Sequence, residues 1–472
     1  MKHSNIIWAF LGALAFLLVF SWSTSPLYLT YGADSPFFQT IGLGIIQGKV
    51  PYVDLFDHKG PVPFFMNALG YSLGMGRTGL FIVQVLSFTV TLLLLLKIAG
   101  LFAGSPKKTF LTVALAMIPL ADFITEGNQV EEWQLPYIAL TLYLICRYID
   151  SGSGSHPVWQ SLVYGLCFGM VFYNRPNDGV MWVGSLVAGL LLMWLVNREY
   201  RRMFANLASF LGGFIIVTLP VLAFFYVHDA VDDLYYGMIV HNIRYAGDAL
   251  FTWSGIGMIL IPVIVTCTFL YLSPGNKEFR YVLIPMLLFT VILIGKRDYY
   301  HYLIPFTPFM AMLFAKCLAK GWKLYLWVMC SLFVIFSFRE VTYIVRAASL
   351  RSTLQAFYRQ SDALFDAVPE EERNTVWNYN LVTYEKDKYP HLVSLMGCFL
   401  HRGLTPSSPI LAAYDLYYME PTHGIRARNP KWVVLNPEDS FNKDFEWIEA
   451  NYELVAESPG EPVCPLKLYK RR

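Results

Sequence analysis

Between Tyr31 and Pro63 the chain reads YGADSPFFQTIGLGIIQGKVPYVDLFDHKGPVP, which gathers Asp34, Asp54, Asp57, His58 and Lys59. A carboxylate, an imidazole and an ammonium in one interval can take a proton, orient a hydroxyl and stabilise an anion. The stretch follows a long apolar segment, where acids are not needed merely to keep a loop soluble. A solvated loop is the bland alternative. The sharper reading is the wall of a polar site at a membrane surface, with Asp34 at the mouth of the first helix.

Four further polar clusters interrupt the apolar chain: Thr125–Trp133, Asn174–Gly179, His228–Asp248 and Lys296–Tyr302. Each has an ordinary alternative. Glu131 and Glu132 can be solvated loop charges, and Arg175 with Asp178 a pair that stabilises a turn. Lys296 and Arg297 can anchor on lipid headgroups, and Lys59 can snorkel. His58 and His301 have no fixed spacing and are a weak metal signal, so a divalent metal stays open. A transporter places its ionisable groups near mid-membrane, whereas the centres of these apolar runs are almost free of charge. The site therefore belongs on a membrane face.

The elements that must hold these groups are helices. The chain has 472 residues, 56% of them hydrophobic and only 15% charged, against about 25% charged in soluble domains. That composition is of the membrane class. A net charge of +2 argues against a nucleic-acid partner. Ile6 to Trp22 is longer than a signal-peptide core and reads as a retained first span, although the serines of SWSTS leave cleavage open. Ten more apolar runs follow, giving about eleven transmembrane helices. Twelve Lys and Arg fall in the loops taken as inner and seven in those taken as outer. This bias puts the first loop, residues 29–76, and the tail outside the cytoplasm.

Residues 1–344 form the membrane domain and 345–472 a small extracytoplasmic α/β domain. In the tail, LRSTLQAFYRQSDALFDAV and FNKDFEWIEANY read as helices, and TVWNYN, KWVVLN, YELVAES and LKLYKR as strands. No nucleotide loop or metal motif occurs there. Of the seven cysteines, five lie in or beside apolar runs, while Cys398 and Cys464 can pair outside the cytoplasm.

Asp34 at the exit of the first helix, the long first loop and PYVDLFDHKGPV together resemble the GT-C membrane glycosyltransferases. The resemblance is to the branch of the protein O-mannosyltransferases and lipid A aminoarabinose transferases. It covers residues 5–340 in hydropathy layout, with its specific motifs in residues 31–63. It implies an inverting transfer from a polyprenyl-phosphate sugar donor to a lipid, glycan or protein acceptor at the outer membrane face. It places Asp34 as the base on the acceptor hydroxyl, although the family's following Glu is here Ser35. Lys59 matches the phosphate-contacting Lys of a Lys-Pro-Pro turn, written here Lys59-Gly60-Pro61 with reduced rigidity. Asp57 and His58 go with it on the donor side. Glu131, or equally Glu132, resembles the second-loop acid, and Arg297 and Tyr302 the late phosphate and sugar contacts. A bacterial inner membrane fits the compact layout and short loops. The alternative is a non-catalytic polyprenyl-linked glycan transporter or envelope assembly component.

Overall fold

The computed structural model describes residues 3–152, 156–247, 253–294, 299–336, 338–379, 394–407, 424–438, 444–459 and 463–472. A helix lies on each of the eleven apolar runs. In chain order the helices begin with α1 (His3–Phe20), α2 (Ser35–Ile46), α3 (Pro61–Ser72), α4 (Arg77–Phe102) and α5 (Pro106–Phe123). Next come α6 (Val130–Asp150), α7 (Val158–Phe172), α8 (Pro176–Val196), α9 (Tyr200–Val227) and α10 over residues 231–247. Then follow α11 (Trp253–Leu272), α12 (Glu278–Ile294), α13 (Tyr300–Lys320) and α14 (Lys323–Phe336).

Among the described residues, α1, α4, α8, α9 and α13 are long and apolar enough to cross a membrane by themselves. The other runs carry shorter or less apolar helices, so length and composition alone do not count eleven spans. Most of α13 is buried, whereas most of α9 is not. The first is therefore a central helix and the second a peripheral one. Leu95 and Ile98 of α4, Leu142 and Ile145 of α6, Trp182 and Leu186 of α8, and Phe309 and Phe314 of α13 share one core.

The short helices α2 and α3 lie in the first loop, and each has a proline in its first turn. Proline is tolerated there because its missing N–H would have no intrahelical partner. Both pack over a second core with Phe38, Ile41, Tyr52, Phe64 and Phe225. The residues of SWSTS are interior. Ser21, Ser23, Thr24 and Ser25 are fully buried, and Thr24 donates to Gln84 of α4 at 2.6 Å. The segment read as a possible cleavage site is a polar joint between α1 and α4.

The tail begins with amphipathic helices α15 (Phe338–Ser349) and α16 (Arg351–Asp366), and later carries α17 (Leu395–His401) and α18 (Phe445–Asn451). Its strands are β1 (Val376–Asn378), β2 (Trp432–Leu435), β3 (Tyr452–Glu457) and β4 (Lys467–Arg471), ordered β1-β2-β4-β3. The first pair is parallel and the other two antiparallel, with Val433 opposite Tyr469. Successive residues of β2 face opposite cores, as the twofold period of a strand requires. Trp432 and Val434 join α16, α17, Trp22 and Tyr28, while Val433 and Leu435 join Ile448 and Tyr452. Cys398 and Cys464 are buried in the first of these cores and form no disulfide. The pairing left open in the sequence is not made.

Candidate active site

Asp34 is placed by the segment leading out of α1. The Arg77 guanidinium donates to the carbonyls of Tyr28, Leu29 and Thr30 and lies 4.6 Å from the centre of the Tyr31 ring. The backbone then turns through Gly32 at φ +86°. Next, Ala33, Asp34 and Ser35 donate their N–H groups to one carboxylate, Glu126, at 2.6, 2.8 and 2.6 Å. A buried carboxylate thus answers the free N–H groups at the start of α2, as charge at a helix N-terminus favours. A Cβ on Gly32 would stand 2.4 Å from Glu126 Oε2, so only glycine fits. Asp34 occupies the N-cap position but makes no side-chain cap bond, and it is exposed. Its carboxylate is spared for other work.

Burial, with the charge of Asp34 added, pushes Glu126 up to about 8, against the three N–H donors that hold it down. Glu126 lies on the Thr125–Gln129 turn between α5 and α6, where Gly127 and Asn128 both have positive φ.

The second part of the site is the turn from Tyr52 to Gly60. Tyr52 is buried at φ +70°, and its hydroxyl donates to the Lys59 carbonyl at 2.6 Å. The Lys59 N–H donates to Asp57 Oδ1 at 3.0 Å, and Asn242 Nδ2 donates to the His58 carbonyl at 2.7 Å. Gly60 and Val62 donate to the carbonyls of Asn174 and Tyr173 at 2.9 and 3.0 Å. A Cβ on Gly60 would approach the Tyr173 oxygen to 2.0 Å. The glycine therefore permits a close backbone crossing, and the turn is fixed by hydrogen bonds rather than loosened. Burial pushes the Asp57 carboxyl up to about 6, opposed first by the Lys59 charge and reinforced by Asp34. Asp34 and the Lys59 turn thus act on one electrostatic field.

A third cluster centres on Arg175, which donates to Glu131 at 2.9 Å, lies 3.8 Å from Asp178 and sits 3.9 Å over the Tyr302 ring. Gln134 donates to Asp178 at 2.9 Å. Two acids, one guanidinium and a phenol are thus gathered where α6, α8 and α13 begin. Glu132 points its bonds elsewhere. It accepts from its own helix at Gln129 N and from Gln84 Nε2, at 2.8 and 2.7 Å, closing a capping box. Of the two neighbouring acids, Glu131 is the one at the cluster. Among the described residues no group of three or more His, Cys, Asp and Glu is set to hold a metal ion.

Residues 58–226 match the family model for dolichyl-phosphate-mannose-protein mannosyltransferase. The chain is similar in structure to ArnT from Cupriavidus metallidurans bound to undecaprenyl phosphate. The likeness covers 99% of this chain and 98% of that one, at a TM-score of 0.63 and 12% identity. The fold is that of a GT-C membrane glycosyltransferase. The apo state of the same ArnT gives a TM-score of 0.62 over the same shares of both chains. No curated protein matches the chain by sequence.

In this GT-C fold the residues singled out from sequence fall into three places. Asp34 stands beside Glu126, Asp57 and His58 surround Lys59, and Glu131 and Tyr302 meet through Arg175. His301 packs on the Tyr302 ring at 4.8 Å between centroids and feels the charges of Asp34, Lys59 and Arg175. Glu132 belongs to helix capping, and Arg297 lies outside the described residues. Sequence reasoning passed over Glu126 in favour of the next two acids. An acid directly before Gly127-Asn128 sits on a tight turn rather than a helix, and that was the available signal. Arg175 reads in sequence as part of a local turn, yet its shorter ion pair is with Glu131, 44 positions away.

Proposed function

We propose that the chain is an inverting glycosyltransferase that moves a sugar from a polyprenyl-phosphate donor to an acceptor at the outer face of a bacterial inner membrane. The observation that carries this is Asp34: an exposed, uncapped carboxylate whose backbone is anchored on Glu126, sharing its field with the Lys59 turn. The acceptor O–H gives its proton to Asp34 as its oxygen bonds to the anomeric carbon. The bond from that carbon to phosphate breaks, and the lipid phosphate leaves with the electron pair. Lys59 stabilises the negative charge, and Glu131, Arg175 and Tyr302 form the wall that receives the donor sugar and phosphate. The family match and the ArnT bound to undecaprenyl phosphate support this donor class.

The outer-face assignment rests on the Lys and Arg bias of the short loops and on an eleven-span layout. The test is turnover of synthetic polyprenyl-phosphate sugars by the purified full-length protein, read by mass spectrometry of lipid and acceptor products. Formation of lipid phosphate together with a glycosylated acceptor is the expected result. Donor binding with no transfer to any lipid, glycan or protein acceptor would sink the proposal.

A further inference from the structure

The side chain next to Lys59 does something the backbone bonds do not. Lys59 Nζ lies 2.9 Å from His58 Nε2. An ammonium has only donors, so Nε2 accepts and the His58 proton sits on Nδ1, which is 3.7 Å from Asp57 Oδ1. Among the described residues no carboxylate lies within ion-pair distance of Lys59. A neutral imidazole therefore holds the ammonium in place without cancelling its charge. Among the described residues this bond takes one of the three ammonium protons, and the other two can face an incoming anion.

The imidazole is itself braced. Its ring stacks on His241 at 5.4 Å between centroids and 19° between planes. His241 is buried and edges onto Phe56 at 5.4 Å. Asn242, the next residue, donates to the His58 carbonyl at 2.7 Å and to the Gly237 and Met238 carbonyls at 3.2 and 2.9 Å. Those carbonyls belong to π-helical turns, Tyr236–Val240, in α10. A π turn misaligns the backbone and frees carbonyls for side-chain donors, which is why such turns recur at functional sites. The brace thus runs from α10 through a stacked histidine pair to the lysine of the first loop.

We infer that His58 is a positioning residue: its Nε2 aims the Lys59 ammonium at the lipid phosphate, and α10 holds the imidazole that does so. This rests on Lys59 being the phosphate contact, and the variants separate the two claims. The probe is undecaprenyl phosphate, titrated onto the full-length protein in nanodiscs, with thermal midpoints measured alongside. Lys59→Ala tests the phosphate contact and is expected to weaken binding by about tenfold or more. His58→Phe keeps a stacking ring but offers no acceptor, and is expected to weaken binding by about fivefold to twentyfold. His58→Asn restores a neutral acceptor and is expected to stay within about threefold of the native value. On the Lys59→Ala background, His58→Phe should add nothing, because its effect passes through the ammonium.

If Lys59→Ala binds normally, the phosphate reading fails. If Lys59→Ala weakens binding while His58→Phe does not, or while His58→Asn is as weak as His58→Phe, the positioning role fails. Should His58→Phe not fold, the contrast between His58→Ala and His58→Asn decides the matter in the same way.

Discussion

A carboxylate at a helix start usually spends itself on the helix, capping the free N–H groups of the first turn. Asp34 is spared that duty because Pro36 has no N–H and the Phe37 N–H bonds to the Asp34 carbonyl, while Glu126 takes the N–H groups of Ala33, Asp34 and Ser35. As a base it must accept a proton within hydrogen-bond distance of the acceptor hydroxyl, which Asn cannot do. Asp34→Asn should keep fold and donor binding while transfer falls by about 10²–10⁴-fold. Near-native turnover in well-folded protein, with chemistry limiting, would remove the base. Asp34 could be singled out in sequence as the candidate because an acid following an apolar span through Gly32 has few structural uses. Glu126 was not, because its value lies in three backbone N–H groups more than 90 positions away, and spacing does not encode a contact of that range. Asp57 adds a pH prediction. Its carboxyl, raised to about 6 from an ordinary 3.8, is ionised above that pH and neutral below it. Ionised, it offsets the Lys59 charge; protonated, it leaves the cation to the donor phosphate. Affinity for a polyprenyl-phosphate sugar, whose single phosphate charge does not titrate here, should rise as pH falls through about 6. In Asp57→Asn the step should vanish, and a step of unchanged size would assign it to another group.

At the scale of elements, the first loop works because two short helices enter it through prolines and two backbones cross at Gly60. The apolar runs and the tail strands could be read from composition and period, since burial alone imposes them. All four tail strands appear where alternation placed them. The π turns in α8 and α10, and the left-handed Tyr52, could not. They are held by tertiary contacts that override local preference, such as Gly237 against the Tyr52 ring. The crossing gives a sharp test. In Gly60→Ala the methyl meets the Tyr173 carbonyl at 2.0 Å, and backbone on both sides must move. The hydrogen bonds from Gly60 and Val62 go with it. The loss expected is about 2–4 kcal/mol, read as a lower thermal midpoint together with weaker donor binding. Native donor affinity in Gly60→Ala would show that the Lys59 turn does not depend on this crossing.

Across the whole molecule, the tail is tied to the first loop rather than tethered beyond it. Lys49 Nζ donates to the carbonyls of Asn374, Thr405 and Pro406 at 3.1, 3.2 and 2.6 Å. Gln47 adds two bonds, to the Gly403 carbonyl and to Thr405 Oγ1, at 2.9 and 2.6 Å. Trp22 and Tyr28 share a core with Leu354, Phe357 and Phe399, and the Tyr358 hydroxyl donates to the Leu29 carbonyl at 3.3 Å, a few residues before Asp34. Sequence marked the tail as a separate α/β unit, but docking through backbone carbonyls has no residue signature. Burial pushes Lys49 down to about 8 against the pull of Asp54, although Lys49 is only half-buried and Gln47 beside it is exposed. Lys49→Met should leave three carbonyls poorly satisfied and lower stability by about 1–3 kcal/mol. The same contacts make the topology a single question with a decisive answer. Gly48 and Ser407 flank the clamp, and chain segments bonded to each other cannot lie on opposite sides of a bilayer. Single cysteines at the two positions should react alike with a membrane-impermeant maleimide, and the Lys and Arg bias makes that reaction occur from outside in intact cells. Protection of both until the cells are opened would move the site to the cytoplasmic face and overturn the outer-face assignment. Unlike labelling of the two would instead contradict the docking of the tail on the first loop.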